Sequence, residues 1–227
     1  MTQKPRSYKH ALWLLYFPFY FALFALAEKL VVTDYWVSYC KLDDYIPFVK
    51  EFVIPYVLWY PYLAWVGLWL LFKDPEGFKR YIWFIAIGFP STVIFCMIFP
   101  NGQDLRVEPT QNDICSLLIR QLHNIDTNTN VFPSMHVIGA IGVMIAAFDT
   151  KTLRGKFWVH FCNTLLGIAI ILSTVFIKQH SVLDIFGAIG FSVILFLIVY
   201  VWFKKLQNKH QAISKDETES TEYSFHS

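Results

Sequence analysis

At 227 residues, with 56% hydrophobic and 19% aromatic side chains and a mean hydropathy of +0.43, the chain carries more apolar surface than a soluble core of its size requires, which points to lipid as its solvent. A net charge of only +2, with basic residues scattered through short connections, excludes nucleic acid as a partner. The four cysteines, Cys40, Cys96, Cys115 and Cys162, have no CxxC spacing, so no zinc site is expected.

Residues 1–10 are basic and an apolar run follows, but no small-residue cleavage site comes before Glu28 and Lys29, so the run reads as a retained first span. Stretches free of Asp, Glu, Lys and Arg then recur at 11–27, 52–72, 81–100, 134–148 and 157–177, and a sixth, 181–203, holds the single charge Asp184. About 20 apolar residues rising about 1.5 Å each are needed to cross a hydrocarbon core of roughly 30 Å, and a helix satisfies its own backbone there. The pattern predicts an all-α, polytopic membrane bundle of six transmembrane helices over 11–203. A cytoplasmic N-terminus, 1–10, precedes it, and a polar tail, 204–227, is too poor in apolar residues to order itself. The fourth stretch, 134–148, is short for a span and carries His136 near its start, a combination that marks a water-accessible site.

Six spans divide the connections into two sets. Residues 1–10, 73–80, 149–156 and 204–227 hold 13 Lys and Arg, whereas 28–51, 101–133 and 178–180 hold 6, which places both termini in the cytoplasm. Trp13, Trp59, Tyr81, Trp158 and Trp202 near span ends fit interfacial belts. Cys40 and Cys115 both fall in outer loops and can pair only if the compartment is oxidising and the two lie within bonding distance. There is no internal repeat of the kind that marks an inverted-repeat transporter.

Two polar clusters fall on the outer side. In Phe132-Pro133-Ser134-Met135-His136, proline suits the first turn of a helix whose free N–H groups and positive dipole end favour a phosphate. Ser134 adds a hydroxyl donor, and a protonated His136 can give its proton to a departing alkoxide. In Lys178-Gln179-His180-Ser181-Val182-Leu183-Asp184, a helical spacing puts His180 and Asp184 one turn apart. The carboxylate then accepts one imidazole N–H and leaves the other nitrogen as a nucleophile. Arg106 and Lys178 are the cations placed to stabilise phosphoryl oxygens. His10, His160, His210 and His226 read as interfacial or packed residues, and His123 lies in the outer loop near the proposed site.

These residues resemble the type 2 phosphatidic acid phosphatase superfamily, which also contains sphingomyelin and inositol phosphorylceramide synthases. Pro133-Ser134-Met135-His136 is similar to its Pro-Ser-x-His motif, and His180-x-x-x-Asp184 to the end of its third motif. The resemblance implies His180 as nucleophile, Asp184 as its orienting partner and His136 as general acid, without metal or other cofactor. It also implies a lipid phosphate or pyrophosphate monoester as substrate and a cell-membrane location. The first motif departs from the family pattern: Val107 follows Arg106 where proline stands, and Phe99 replaces its lysine. The third motif has Ser173-Thr174 in place of Ser-Arg, with Lys178 one turn later as the substitute cation. Hydrolysis, transfer of a head group to a lipid hydroxyl, and a non-catalytic lipid-binding or transport role all remain open at this stage.

Overall fold

The apolar runs fold into helices whose ends are set by local chemistry. In a computed structural model that describes residues 12, 15–30 and 35–206, the chain forms α1 (Tyr16–Leu30), α2 (Val53–Lys73), α3 (Pro75–Ile98), α4 (Ile114–Ile125), α5 (Met135–Asp149), α6 (Phe157–Phe176) and α7 (Val182–Phe196). The last helix runs on through a π-helical stretch, Leu197–Phe203, as far as Leu206, the last described residue. Residues 204–206 of the expected tail are therefore helical. Its remainder and the expected N-terminal segment 1–10 lie outside the described residues.

Four helices are long and apolar enough to cross a membrane: Lys50–Lys73, Pro75–Ile98, Phe157–Phe176 and Val182–Leu206. The first and fourth expected spans correspond to shorter apolar helices among the described residues, Tyr16–Ala27 and Met135–Asp149, the second of which has the shortness expected of 134–148. The 15 residues of α5 rise only about 22 Å. Protein surrounds this helix: it packs on α2, α3, α6 and α7, with Val137, Ile138, Ala140, Val143 and Ala146 all buried. A helix enclosed by its neighbours need not match the bilayer thickness. Of the aromatic residues expected at interfaces, Trp158 and Trp202 are exposed, Trp59 and Tyr81 are core residues, and Trp13 lies outside the described residues.

At one end of the bundle Asp74 closes α2 and caps α3, accepting from Gly77 N–H at 2.9 Å, with Pro75 at the first helical position where its missing N–H costs nothing. Arg80 and Lys204 both pair with Asp149 there, Arg80 Nε at 2.7 Å.

The opposite end is built from loops. Trp36–Val37 (β1) pairs in parallel with Asn101–Gly102 (β2), joining the connection before α2 to the one after α3. This two-residue ladder, with an isolated bridge between Gly102 and Thr129, is the departure from an all-α fold among the described residues. The helix α4, which the sequence reading leaves as loop, lies across the same end with Ile119 packed in a small core with Val53, Tyr56 and Ile177. Asp113 caps it, accepting from Ser116 N–H at 3.0 Å, and pairs with Lys50 ahead of α2. The Lys50 ammonium, helped by that N–H, holds the Asp113 carboxyl down at about 2. A depressed carboxyl contributes its stability above the ordinary value and loses it as pH falls through about 2, so this anchor persists at all mild pH. Cys40 and Cys115 are free thiols.

Candidate active site

The site grows out of the turn between α6 and α7. Ile177 caps α6, and Lys178 takes the left-handed conformation with φ +57°. Its N–H donates to Val175 O at 3.2 Å, while Gln179 N–H and His180 N–H both donate to Thr174 O at 3.0 Å. This is a Schellman closure, which favours glycine at the left-handed position because a Cβ there is strained. Lysine is retained at that position with its Nζ donating to Asp43 O at 2.7 Å, and it is not among the residues lining the cavity described below. Lys178→Gly is therefore expected to be less destabilising than Lys178→Ala, by about 1 kcal/mol, in a denaturant titration of the two variants. If Lys178 served the phosphate and not the turn, both variants would lose kcat/KM equally with no such stability order.

His180 stands just before α7, not within it. Ser181 is the N-cap, its hydroxyl accepting from Leu183 N–H at 3.1 Å, and Asp184 reaches back from the third helical position. Asp184 Oδ2 accepts from Ser181 N–H at 3.0 Å and from His180 Nδ1 at 3.1 Å, and its Oδ1 accepts from the Ser38 hydroxyl. The carboxylate is 0% exposed, so these donors replace water completely. The His180–Asp184 pair expected from spacing thus forms, through a capping box instead of one face of a helix. Because the carboxylate can only accept, Nδ1 carries the proton and Nε2 is the ring nitrogen left for a substrate.

The second cluster meets the first through the backbone: Ser134 N–H donates to Asp184 O at 3.3 Å. Ser134 is the N-cap of α5, so Pro133 lies ahead of the helix and not in its first turn. His136 follows one residue into α5. Its ring stacks on Tyr56 at 4.1 Å and lies tilted against Trp59 at 4.3 Å, and its centroid is 6.1 Å from that of His180. Gly139 permits the Trp59 contact, since a Cβ there would lie 2.6 Å from the indole Nε1.

Arg106 reaches this site indirectly. Its guanidinium donates to Asp126 O at 2.7 Å, to Thr127 O at 2.5 Å and to Gln179 Oε1 at 2.8 Å. Gln179 in turn has a buried Nε2 with no hydrogen-bond partner, as have Ser134 Oγ, His136 Nε2 and Trp59 Nε1. Buried polar atoms are normally paired, so several orphans in one place indicate groups that await a ligand.

A cavity of about 440 Å³ joins these groups to the bundle interior. Its polar end is lined by Asp126, Thr129, Asn130, His136, Gln179 and His180. Its apolar end runs between α1, α2 and α3 past Tyr20, Phe24, Leu63, Gly67, Leu71 and Phe78. From Trp59 to Leu71 the α2 wall is about 18 Å long, more than half of a hydrocarbon core of roughly 30 Å. Among the described residues no group of three or more His, Cys, Asp and Glu is placed to hold a metal ion.

Apolar helices of spanning length, with paired imidazoles and a buried carboxylate at one end of the bundle, define a helical integral membrane protein with a polar site opening into an apolar cavity. Residues 99–208, just under half of the chain, match the family model of the PAP2 superfamily. That match supports a phosphatase-type or related lipid-modifying function. No curated protein and no solved structure matches the chain.

His136, His180, Asp184, Arg106, Lys178 and Ser134 all fall in the matched segment. Of these, the structure gathers His136, His180 and Asp184 directly, brings Arg106 in through Gln179, leaves Ser134 Oγ unpaired at the head of α5, and turns Lys178 to Asp43. Ser38, Asp43, Tyr56, Trp59 and Gln179 are contributors that motif spacing did not reveal.

Proposed function

We propose that the chain is a lipid phosphatase that hydrolyses a lipid phosphate or pyrophosphate monoester through a phosphohistidine at His180. The observation carrying this reading is the pairing of two imidazoles, one oriented by a buried carboxylate, at the polar end of a long apolar cavity. In the first step His180 Nε2 attacks phosphorus, the P–N bond forms, the P–O bond to the lipid breaks, and His136 Nε2 gives its proton to the departing oxygen. In the second, His136 takes a proton from water, the resulting hydroxide attacks phosphorus, and the P–N bond breaks to release inorganic phosphate. Asp184 fixes the His180 tautomer and steadies the positive charge that develops on the ring. Gln179 supplies an amide donor for the phosphoryl oxygens, and Arg106 contributes to that binding by aligning this amide, while Ser134 brings an unpaired hydroxyl at the head of α5. Lys178 contributes to that binding by holding the turn that carries His180. Both termini face the cytoplasm in this reading, and the site opens on the other side.

Purified protein given dioctanoyl phosphatidate tests the reading. Release of inorganic phosphate is the expected result. A second reading, transfer of the head group, draws on Thr174 standing where the family carries an arginine, with its hydroxyl spent on Ile171 O at 2.7 Å. A new phospholipid formed when ceramide or diacylglycerol is supplied would favour it, and no turnover on any lipid phosphate would overturn both.

The apolar end of the cavity suits the substrate's hydrocarbon chain. At Gly67 a Cβ would already lie 3.3 Å from the Tyr81 ring, so a larger side chain closes the groove midway. Gly67→Leu is expected to lower kcat/KM for dipalmitoyl phosphatidate by about tenfold or more and to spare dioctanoyl phosphatidate. Equal losses on both lipids would place the chain elsewhere.

A further inference from the structure

We infer that Ser38 and Asp43, from the connection ahead of α2, are positioning residues for the His180–Asp184 pair. Both lie outside the segment matched by the family, 99–208, and both are buried, at 0% and 2% exposure. Ser38 is fixed by the β1–β2 ladder, its N–H donating to Gly102 O at 2.8 Å, and its hydroxyl donates to Asp184 Oδ1. The carboxylate that orients His180 is thus itself oriented on its second oxygen. Asp43 grips the turn on both sides of His180. Its carbonyl accepts from Lys178 Nζ at 2.7 Å, its Oδ2 from the Ser181 hydroxyl at 2.6 Å, and its Oδ1 from Val182 N–H at 2.8 Å. Cys40 N–H adds a further donor to Oδ2 at 2.8 Å, so the buried charge is met by three donors and by the positive end of the α7 dipole.

A residue that only capped α7 with its carboxylate would need no second contact to Lys178 through its backbone carbonyl, and a buried serine that only filled space would need no bond to Asp184. The joint arrangement sets where Nε2 of His180 points, and a misplacement of about 1 Å is enough to cost a large factor in rate. Neither residue reaches the cavity lining, so each acts through His180 and not on the substrate.

The inference rests on His180 being the nucleophile, and its test keeps the two apart. In full-length protein in lipid nanodiscs with dioctanoyl phosphatidate, Ser38→Ala is expected to lower kcat about tenfold while KM stays within about twofold and the thermal midpoint barely moves. Ser38→Thr, which keeps the hydroxyl, is expected to recover part of the loss. Asp43→Asn, which keeps one acceptor, should likewise lower kcat with KM unchanged. Orthovanadate affinity reads the same geometry without a lipid and should weaken about tenfold in Ser38→Ala. Unchanged kcat and vanadate affinity in Ser38→Ala, or losses that only track the folded fraction, would overturn the inference. An inactive His180→Ala beside a fully active Ser38→Ala removes the positioning role alone, whereas a fully active His180→Ala removes the nucleophile and the inference with it.

Discussion

Replacing His180 with alanine is expected to lower kcat on dioctanoyl phosphatidate by about ten-thousand-fold, because without Nε2 no P–N bond can form and the remaining donors only bind the phosphate. The fold should survive. The imidazole contributes one hydrogen bond to Asp184, which keeps its donors from Ser181 N–H and Ser38. Its loss is expected to cost about 1–2 kcal/mol. A denaturant titration beside the kinetic assay checks both halves. A variant that retains its turnover would remove the nucleophile from the account, and one that fails to fold would show that His180 carries more of the structure than its contacts indicate.

The second large effect falls on stability. Asp184→Ala strands the donors of Ser38, His180 and Ser181 around a position that is itself 0% exposed. Each unsatisfied buried donor costs about 1–3 kcal/mol and part is recovered by relaxation, so a loss of about 3–5 kcal/mol is expected. It also removes the capping box that starts α7. Asp184→Asn keeps the shape and an acceptor, so it should be mainly a catalytic lesion in which the amide no longer enforces the Nδ1–H tautomer. If Asp184→Ala unfolds at the wild-type denaturant midpoint, the carboxylate is not the hub that joins the two motifs.

Much of this site was legible in the chain because its parts are local. His180 and Asp184 are four residues apart, and a histidine beside an acid at the mouth of an apolar run admits few uses in lipid. The backbone route by which they meet was not legible: spacing cannot tell a helical face from a cap that folds back on the residue before it. Lys178 shows the same limit, since a cation next to a motif reads as a phosphate ligand until the left-handed turn at that residue sends its Nζ to Asp43. Ser38 and Asp43 escaped because their partners lie 146 and 138 residues away, a separation across which no spacing rule operates. Hydropathy located the apolar helices and marked 134–148 as short, but it registers apolar content alone and could not tell that protein, not lipid, surrounds α5. The helix α4 stayed hidden for the opposite reason. Its apolar residues Cys115, Leu118, Ile119 and Leu122 occupy one face, and the charged and polar residues between them break any apolar run.

The central claim is the covalent step at His180. Dioctanoyl phosphatidate carrying a radiolabelled phosphoryl group can be mixed with the protein, quenched in alkali during turnover, and the chain digested with trypsin, which cuts after Lys178. The account predicts a label that is stable in alkali, lost in acid, and confined to the peptide that begins at Gln179. Active protein that never carries that label, or carries it on a peptide without His180, would contradict it.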